Sequence, residues 1–167
     1  IGFITSCFFG VWFYTSYQLD LALLAFVLAG SLGAFLIFNF SPARIFMGDS
    51  GSLFIGAFTF VMALKCIETD TSVLPTLVKD MSAPIYTMSV LAYPLIDTLR
   101  VFSLRISRGL SPFVADRNHF HHHLIDKGFS HGVTAIILYA ISIVLPLVSL
   151  LFAGVDLTMT FFGMFLI

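Results

Sequence analysis

The chain has 167 residues, of which 59% are hydrophobic, 16% aromatic and only 10% charged, with a mean hydropathy of +1.03. A soluble domain carries roughly 25% charged residues, so this composition excludes one and indicates an integral membrane protein. A formal net charge of -1 excludes nothing by itself, and the placement of the charges has to carry that argument.

Taken in order, residues 1–16 are uncharged and aromatic, and form most of one span ending at Trp12, Tyr14 and Tyr17, which suit an aromatic belt. A polar turn at Gln18 to Asp20 follows. Residues 21–38 carry no charge and make a second span, in which Gly30, Ser31, Gly33 and Ala34 permit close helix approach. After a short polar break, residues 50–64 resume as a third span, with a small residue at every fourth position (Gly48, Ser52, Gly56) that predicts a packing face. Lys65 is placed to snorkel to the interface.

Residues 65–82 have loop composition, including Glu68, Asp70, Pro75, Lys79 and Asp80. A fourth span over residues 83–101 runs on as helix past Arg105 and Arg108 until Gly109 and Pro112 break it. A His-rich polar stretch extends to His131, residues 132–155 form a fifth span, and a sixth begins after Asp156. The expected fold is therefore all-α, a polytopic transmembrane helix bundle of about six spans in one membrane domain covering residues 1–167. The chain begins at Ile1 and ends in an apolar run too short to cross a bilayer, so it reads as a piece of a larger polytopic protein. Cys7 and Cys66 lie in or beside apolar runs and are expected as buried thiols.

With alternating spans, Arg44, Arg100, Arg105, Arg108, Arg117 and Lys127 fall on one side, against Lys65 and Lys79 on the other. The positive-inside rule then puts the Asp49 loop and the His-rich loop on the cytoplasmic face.

Two stretches carry chemistry. In the first, Ser41-Pro42 has the form of an N-cap followed by a first-turn proline, and Asp49 sits where the third span begins, flanked by Gly48 and Gly51. A helix cap, contributing about 1 kcal/mol, is the reading local physics favours. The functional reading is a site for hydrated Mg²⁺, which binds through one or two carboxylates plus substrate phosphates. A serine-protease signature fails because Ser52 replaces the next glycine. A GxGD intramembrane protease fails because Phe46 stands where glycine is required. Asp97 has Arg100 three residues on, and a structural ion pair is the expectation there.

In the second stretch, His119, His121, His122 and His123 lie near several arginines. If residues 118–126 are helical, His119, His122 and His123 share a face and His121 points elsewhere. A zinc site lacks an HExxH glutamate and nearby cysteines. Imidazoles and guanidiniums beside a membrane surface fit a phosphate-binding wall better. A transporter or channel segment with a His/Asp proton or metal site remains the rival, together with a non-catalytic membrane scaffold.

The residues from Asn39 to Leu53 match N-x-x-P-A-x-x-F-M-G-D-x-G-S-L, and His119-Phe120-His121-His122 follows Ser111-Pro112-Phe113 and Asp116-Arg117. On these motifs the chain resembles the polyprenyl-phosphate N-acetylhexosamine-1-phosphate transferase family (glycosyltransferase family 4), over roughly its C-terminal half. His119-Phe120-His121-His122 is similar to the H-I-H-H of its GlcNAc-type branch, and His121-His122-His123 to the three-histidine form of its translocase branch. The resemblance implies a Mg²⁺-dependent enzyme, with Mn²⁺ as an alternative ion, that moves a sugar 1-phosphate from a UDP-N-acetylhexosamine to undecaprenyl phosphate and releases UMP. It implies Asp49 as the metal residue and as catalytic together with His119, His121 and His122. Asn39, Arg105, Arg117 and His123 are the implied substrate contacts. The implied setting is the bacterial inner membrane with the active-site loops cytoplasmic, no nucleic-acid partner, and a homodimer as an option. The family's upstream Asp-Asp pair and Asn/Asp-rich motif are absent from these 167 residues, so the chain is expected to carry only part of an active site and to be inactive alone.

Overall fold

A computed structural model describes residues 1–70, 79–113, 118–151 and 155. Among these residues the chain is all helix, in seven elements: α1 (Gly2–Thr15), α2 (Leu19–Asn39), α3 (Gly48–Ile67), α4 (Ala83–Val90), α5 (Ala92–Ser107), α6 (Phe120–Asp126) and α7 (His131–Leu151). The helices α2, α3 and α7 are long and apolar enough to cross a bilayer, whereas α1 is apolar but has only 14 residues. The sixth expected span lies outside the described residues.

The first three helices run up, down and up. Tyr17, at φ 59, turns the chain between α1 and α2. The Gln18 side-chain amide and the Trp12 indole N–H both donate to the Thr69 hydroxyl, at 3.0 and 3.5 Å, which ties the end of α3 to the α1–α2 turn. The core gathers at this end of the bundle: Phe9, Trp12 and Phe13 of α1 meet Ala22 and Ala25 of α2, Met62, Ala63 and Cys66 of α3, and Tyr86 and Val90 of α4. Lipid tails are as apolar as these side chains, so packing and internal hydrogen bonds must hold the helices together. The Trp12 and Tyr86 rings stack at 4.7 Å, and the Tyr86 hydroxyl donates to the Phe8 carbonyl at 2.8 Å. Ser89 and Ser149 join α4 to α7 through a buried hydroxyl pair at 3.1 Å. Gly10 lets the Phe26 ring of α2 lie against the α1 backbone.

The stretch expected to be one helix over residues 83–101 is two. The helix α4 begins with Pro84 in its first turn and the Ser82 hydroxyl as its cap, and it stops at Leu91. Pro94 then stands in the first turn of α5, where its missing N–H costs nothing but leaves the Val90 carbonyl without a helical donor. The small-residue stripe Gly48, Ser52, Gly56 does not pack as expected. All three are exposed, and nothing lies within 4 Å of where a Cβ on Gly48 or Gly56 would be. Ser52 and Gly56 instead border an open, mostly apolar cavity of about 1010 Å³, which also meets Asn39 and Met47, Leu95 and Thr98 of α5, and Tyr139 of α7. Both cysteines are free thiols, Cys66 buried and Cys7 half-buried.

Candidate active site

The loop between α2 and α3 is held from within. The Asn39 side-chain amide, on the last residue of α2, donates to the Ile45 carbonyl at 2.8 Å, and the Arg44 N–H returns to the Phe38 carbonyl at 2.8 Å. Pro42 lies inside this loop, where the chain is not helical, so the helix start expected at Ser41-Pro42 is not there. The helix α3 starts at Gly48, whose φ of +69 is readily available only to glycine.

Asp49 follows, in the first turn. The N-cap residue before α3 is Met47, no side chain caps the helix, and the exposed Asp49 carboxylate has no hydrogen bond or ion pair among the described residues. The cap that local physics favours is therefore not made, though the carboxylate still complements the helix dipole. An exposed, uncommitted carboxylate fits hydrated Mg²⁺, which keeps several waters and takes one or two carboxylates. Among the described residues no group of three or more His, Cys, Asp or Glu side chains could hold a metal ion.

The other candidate residues lie on and beyond α5. That helix ends with Gly109 at φ +68 and the Leu110 N–H bonded back to the Arg105 carbonyl at 2.9 Å, a left-handed C-terminal cap. The Arg105 side chain is only 7% exposed and donates to the Pro112 carbonyl, fixing the turn beyond the helix. Arg117 lies outside the described residues.

Asp97, on the same helix, gathers the His-rich loop. It is 8% exposed. Its Oδ2 lies 2.9 Å from His119 Nδ1, and its Oδ1 accepts from the Phe120 N–H at 2.9 Å and from Arg100 Nη2 at 3.2 Å. Arg100 Nη2 also donates to the Asn118 carbonyl. The ion pair expected between Asp97 and Arg100 is present, but it is one part of a larger junction.

This junction changes the arrangement of the histidines. His119 is extended, at φ -62 and ψ 148, and precedes α6 as its N-cap residue. Its ring therefore does not sit on a helical face with His122 and His123. It stacks on His121 at 5.9 Å between centroids, and His121 lies 4.1 Å from His122. The three rings form a row with His121, expected to point away, in the middle. His123 is exposed and outside the row. Partial burial, and then the neighbouring His122 and His119, depress the His121 pKa below its ordinary value; Asp97 opposes this and His131 adds to it. His122 Nδ1 is buried without a partner among the described residues. The spacing of the sequence left out Asp97 as a partner of His119, and it left out His131, which opens α7 close enough to act on His121.

The end of α2, the α2–α3 loop and α5 border one cavity through Asn39, Met47 and Thr98, the last being the neighbour of Asp97. Asp49 and the four histidines are not among the residues lining it.

Residues 1–67 match the family described as glycosyl transferase family 4. The chain is 30% identical over 153 residues to a probable undecaprenyl-phosphate N-acetylglucosaminyl 1-phosphate transferase of Bacillus subtilis, an alignment covering 89% of this chain and 39% of that protein. It is 33% identical over 150 residues to the decaprenyl-phosphate N-acetylglucosaminephosphotransferase of Mycobacterium leprae, covering 83% and 38% respectively. To the undecaprenyl-phosphate alpha-N-acetylglucosaminyl 1-phosphate transferase of Escherichia coli it is 27% identical over 117 residues, covering 68% of this chain and 30% of that one. The chain thus spans well under half the length of these relatives, and no solved structure matches it. The family match takes in the Asn39 to Leu53 motif, the relatives extend it through most of the remainder, and the chain belongs to glycosyl transferase family 4.

Proposed function

We propose that the full-length protein transfers N-acetylhexosamine 1-phosphate from a UDP-sugar to a polyprenyl phosphate, releasing UMP, at the cytoplasmic face of a bacterial inner membrane. What supports this is an uncommitted Asp49 at a glycine-led helix start and, further along, a histidine row tied to α5, in a chain whose relatives are named for polyprenyl-phosphate N-acetylglucosamine 1-phosphate transfer. The acceptor lipid would place its phosphate at the membrane surface, and the soluble donor would reach it from the cytoplasm.

Phosphoryl transfer of this kind depends on positioning and charge neutralisation more than on covalent chemistry by the protein. Asp49 is the residue that would hold Mg²⁺, which when bound neutralises charge on the diphosphate. Asn39 shapes the Asp49 loop through its bond to Ile45. His119, His121, His122 and His123 supply donors for phosphate oxygens or uridine, and one of them serves for proton transfer. Arg117 adds a cation to that wall, while Arg105 acts by holding the Pro112 turn in place.

The test is UMP release from UDP-GlcNAc and undecaprenyl phosphate by membranes containing the full-length enzyme, with and without Mg²⁺. Release is expected to depend on the metal and to fall sharply in Asp49→Asn and His119→Ala. Unchanged turnover in both variants would overturn the site, and absence of UMP release would overturn the activity.

A further inference from the structure

We propose that Asp97 is a positioning residue, whose carboxylate sets the tautomer of His119 and anchors the start of the histidine loop. The inference rests on the functional reading above and adds a residue that neither that reading nor the histidine motif includes.

A structural ion pair would need only Arg100, one turn along the same helix. Asp97 does more than that, reaching His119 and Phe120 across 22 and 23 residues of chain. Its two oxygens meet three donor groups, and with a guanidinium and a backbone N–H on Oδ1 the ionised carboxylate acts only as an acceptor. The short contact from Oδ2 to His119 Nδ1 therefore requires the hydrogen on Nδ1. In the neutral ring this leaves the lone pair on Nε2, which has no partner among the described residues. One side chain thus decides which face of His119 accepts a hydrogen bond.

The same carboxylate substitutes for a missing cap. His119 is the N-cap residue before α6 and its side chain caps nothing, while the Phe120 N–H, the first of that helix, is taken by Asp97 from α5. Ring orientation and helix start are fixed by one buried carboxylate on a neighbouring helix.

Asp97→Asn separates the two functions. The amide oxygen can keep the Phe120 and Arg100 bonds, but the amide nitrogen on the His119 side must donate, which forces the hydrogen from Nδ1 to Nε2. The experiment is nitrogen-15 NMR of histidine-labelled full-length enzyme in lipid nanodiscs at about pH 8, above the ordinary imidazole pKa of about 6.5, with His119→Gln used to assign the signal. Wild type is expected to show Nδ1–H and Asp97→Asn to show Nε2–H, and kcat/KM is expected to fall about ten-fold or more. In a His119→Gln background the same substitution should cost less than about two-fold, because the residues act as a unit. An Nε2–H wild type, an unchanged tautomer in Asp97→Asn, or equal losses in both backgrounds would overturn the proposal. Should Asp97→Asn fail to fold, the wild-type tautomer decides alone. A tautomer switch in an enzyme that releases no UMP would sustain the positioning role and reject the transferase reading.

Discussion

The Asp97 carboxylate of α5 and the His119 imidazole meet at 2.9 Å, joining that helix to a loop 22 residues further along the chain. Arg100 completes the junction by donating to both Asp97 and the Asn118 carbonyl. The row His119, His121, His122 hangs from this point.

Removing Arg100 should loosen the loop without unfolding the bundle. Arg100→Met deletes two hydrogen bonds to groups that are poorly exposed, each worth about 1 kcal/mol or more because one partner is charged. The Phe120 amide should then exchange with solvent at least about ten-fold faster, since about 1.4 kcal/mol of local protection corresponds to a factor of ten. Hydrogen exchange of the full-length protein in nanodiscs checks this. Equal protection in wild type and variant would mean that Asp97 alone holds the loop.

The apolar runs made most of the fold legible, because a bilayer admits few ways to satisfy a backbone and each long uncharged run had to be a helix. The break at Leu91 was harder to read. Pro94 signalled it, but a proline in a transmembrane run is compatible with a kink as well as with two helices, and the choice rests on packing of α4 against α1 and α7. At the site, the Asn39 to Leu53 motif located Asp49, yet its free carboxylate could not be told from a cap, because a cap is defined by loop geometry. The His119–Asp97 contact was out of reach for a similar reason. Sequence spacing places residues on one helix, whereas His119 is extended and finds its partner on another.

His121 makes the loop sensitive to acid. Burial and the neighbouring histidines hold its pKa below the ordinary imidazole value of about 6.5. Between that value and the lower one of the folded state, the unfolded chain binds more protons. The contribution is therefore harmless above pH of about 6.5 and destabilising as pH falls through the window. Thermal midpoints measured from about pH 7.5 to about pH 5 should decline less steeply in His121→Gln than in wild type. The groups facing His121 are His122, His119, Asp97 and His131. Parallel slopes would assign the acid sensitivity to another of them.

Gly10 tests the α1–α2 contact. A Cβ there would come within 2.7 Å of the Phe26 ring, so one side must yield. Phe26 is 41% exposed, which gives the ring room to swing away from a small substituent. Gly10→Ala should therefore be close to neutral, the lost ring contact being offset by the roughly 0.5–1 kcal/mol that alanine gains over glycine in a helix. Gly10→Leu should overpack the contact and cost about 1–3 kcal/mol, with Phe26→Ala restoring part of it. Thermal unfolding of the single and double variants decides. Additive losses in the double variant would show that the two residues do not share the contact.

Asp49 offers the cleanest separation of stability from activity. Its side chain is exposed and uncommitted among the described residues, so Asp49→Asn should leave stability within about 1 kcal/mol of wild type. Loss of the dipole interaction is the chief stability term, and it is worth about 0.3–1 kcal/mol at most for an exposed carboxylate. If the carboxylate holds a metal on the diphosphate, UMP release should nevertheless fall by about a hundred-fold or more, the scale seen when a single electrostatic stabiliser is removed. Raising Mg²⁺ should recover part of that loss through a higher apparent metal requirement, whereas a residue that only terminates a helix would show none. A variant with unchanged turnover, or one losing activity and thermal stability together, would return Asp49 to the helix-end role that local physics first suggests.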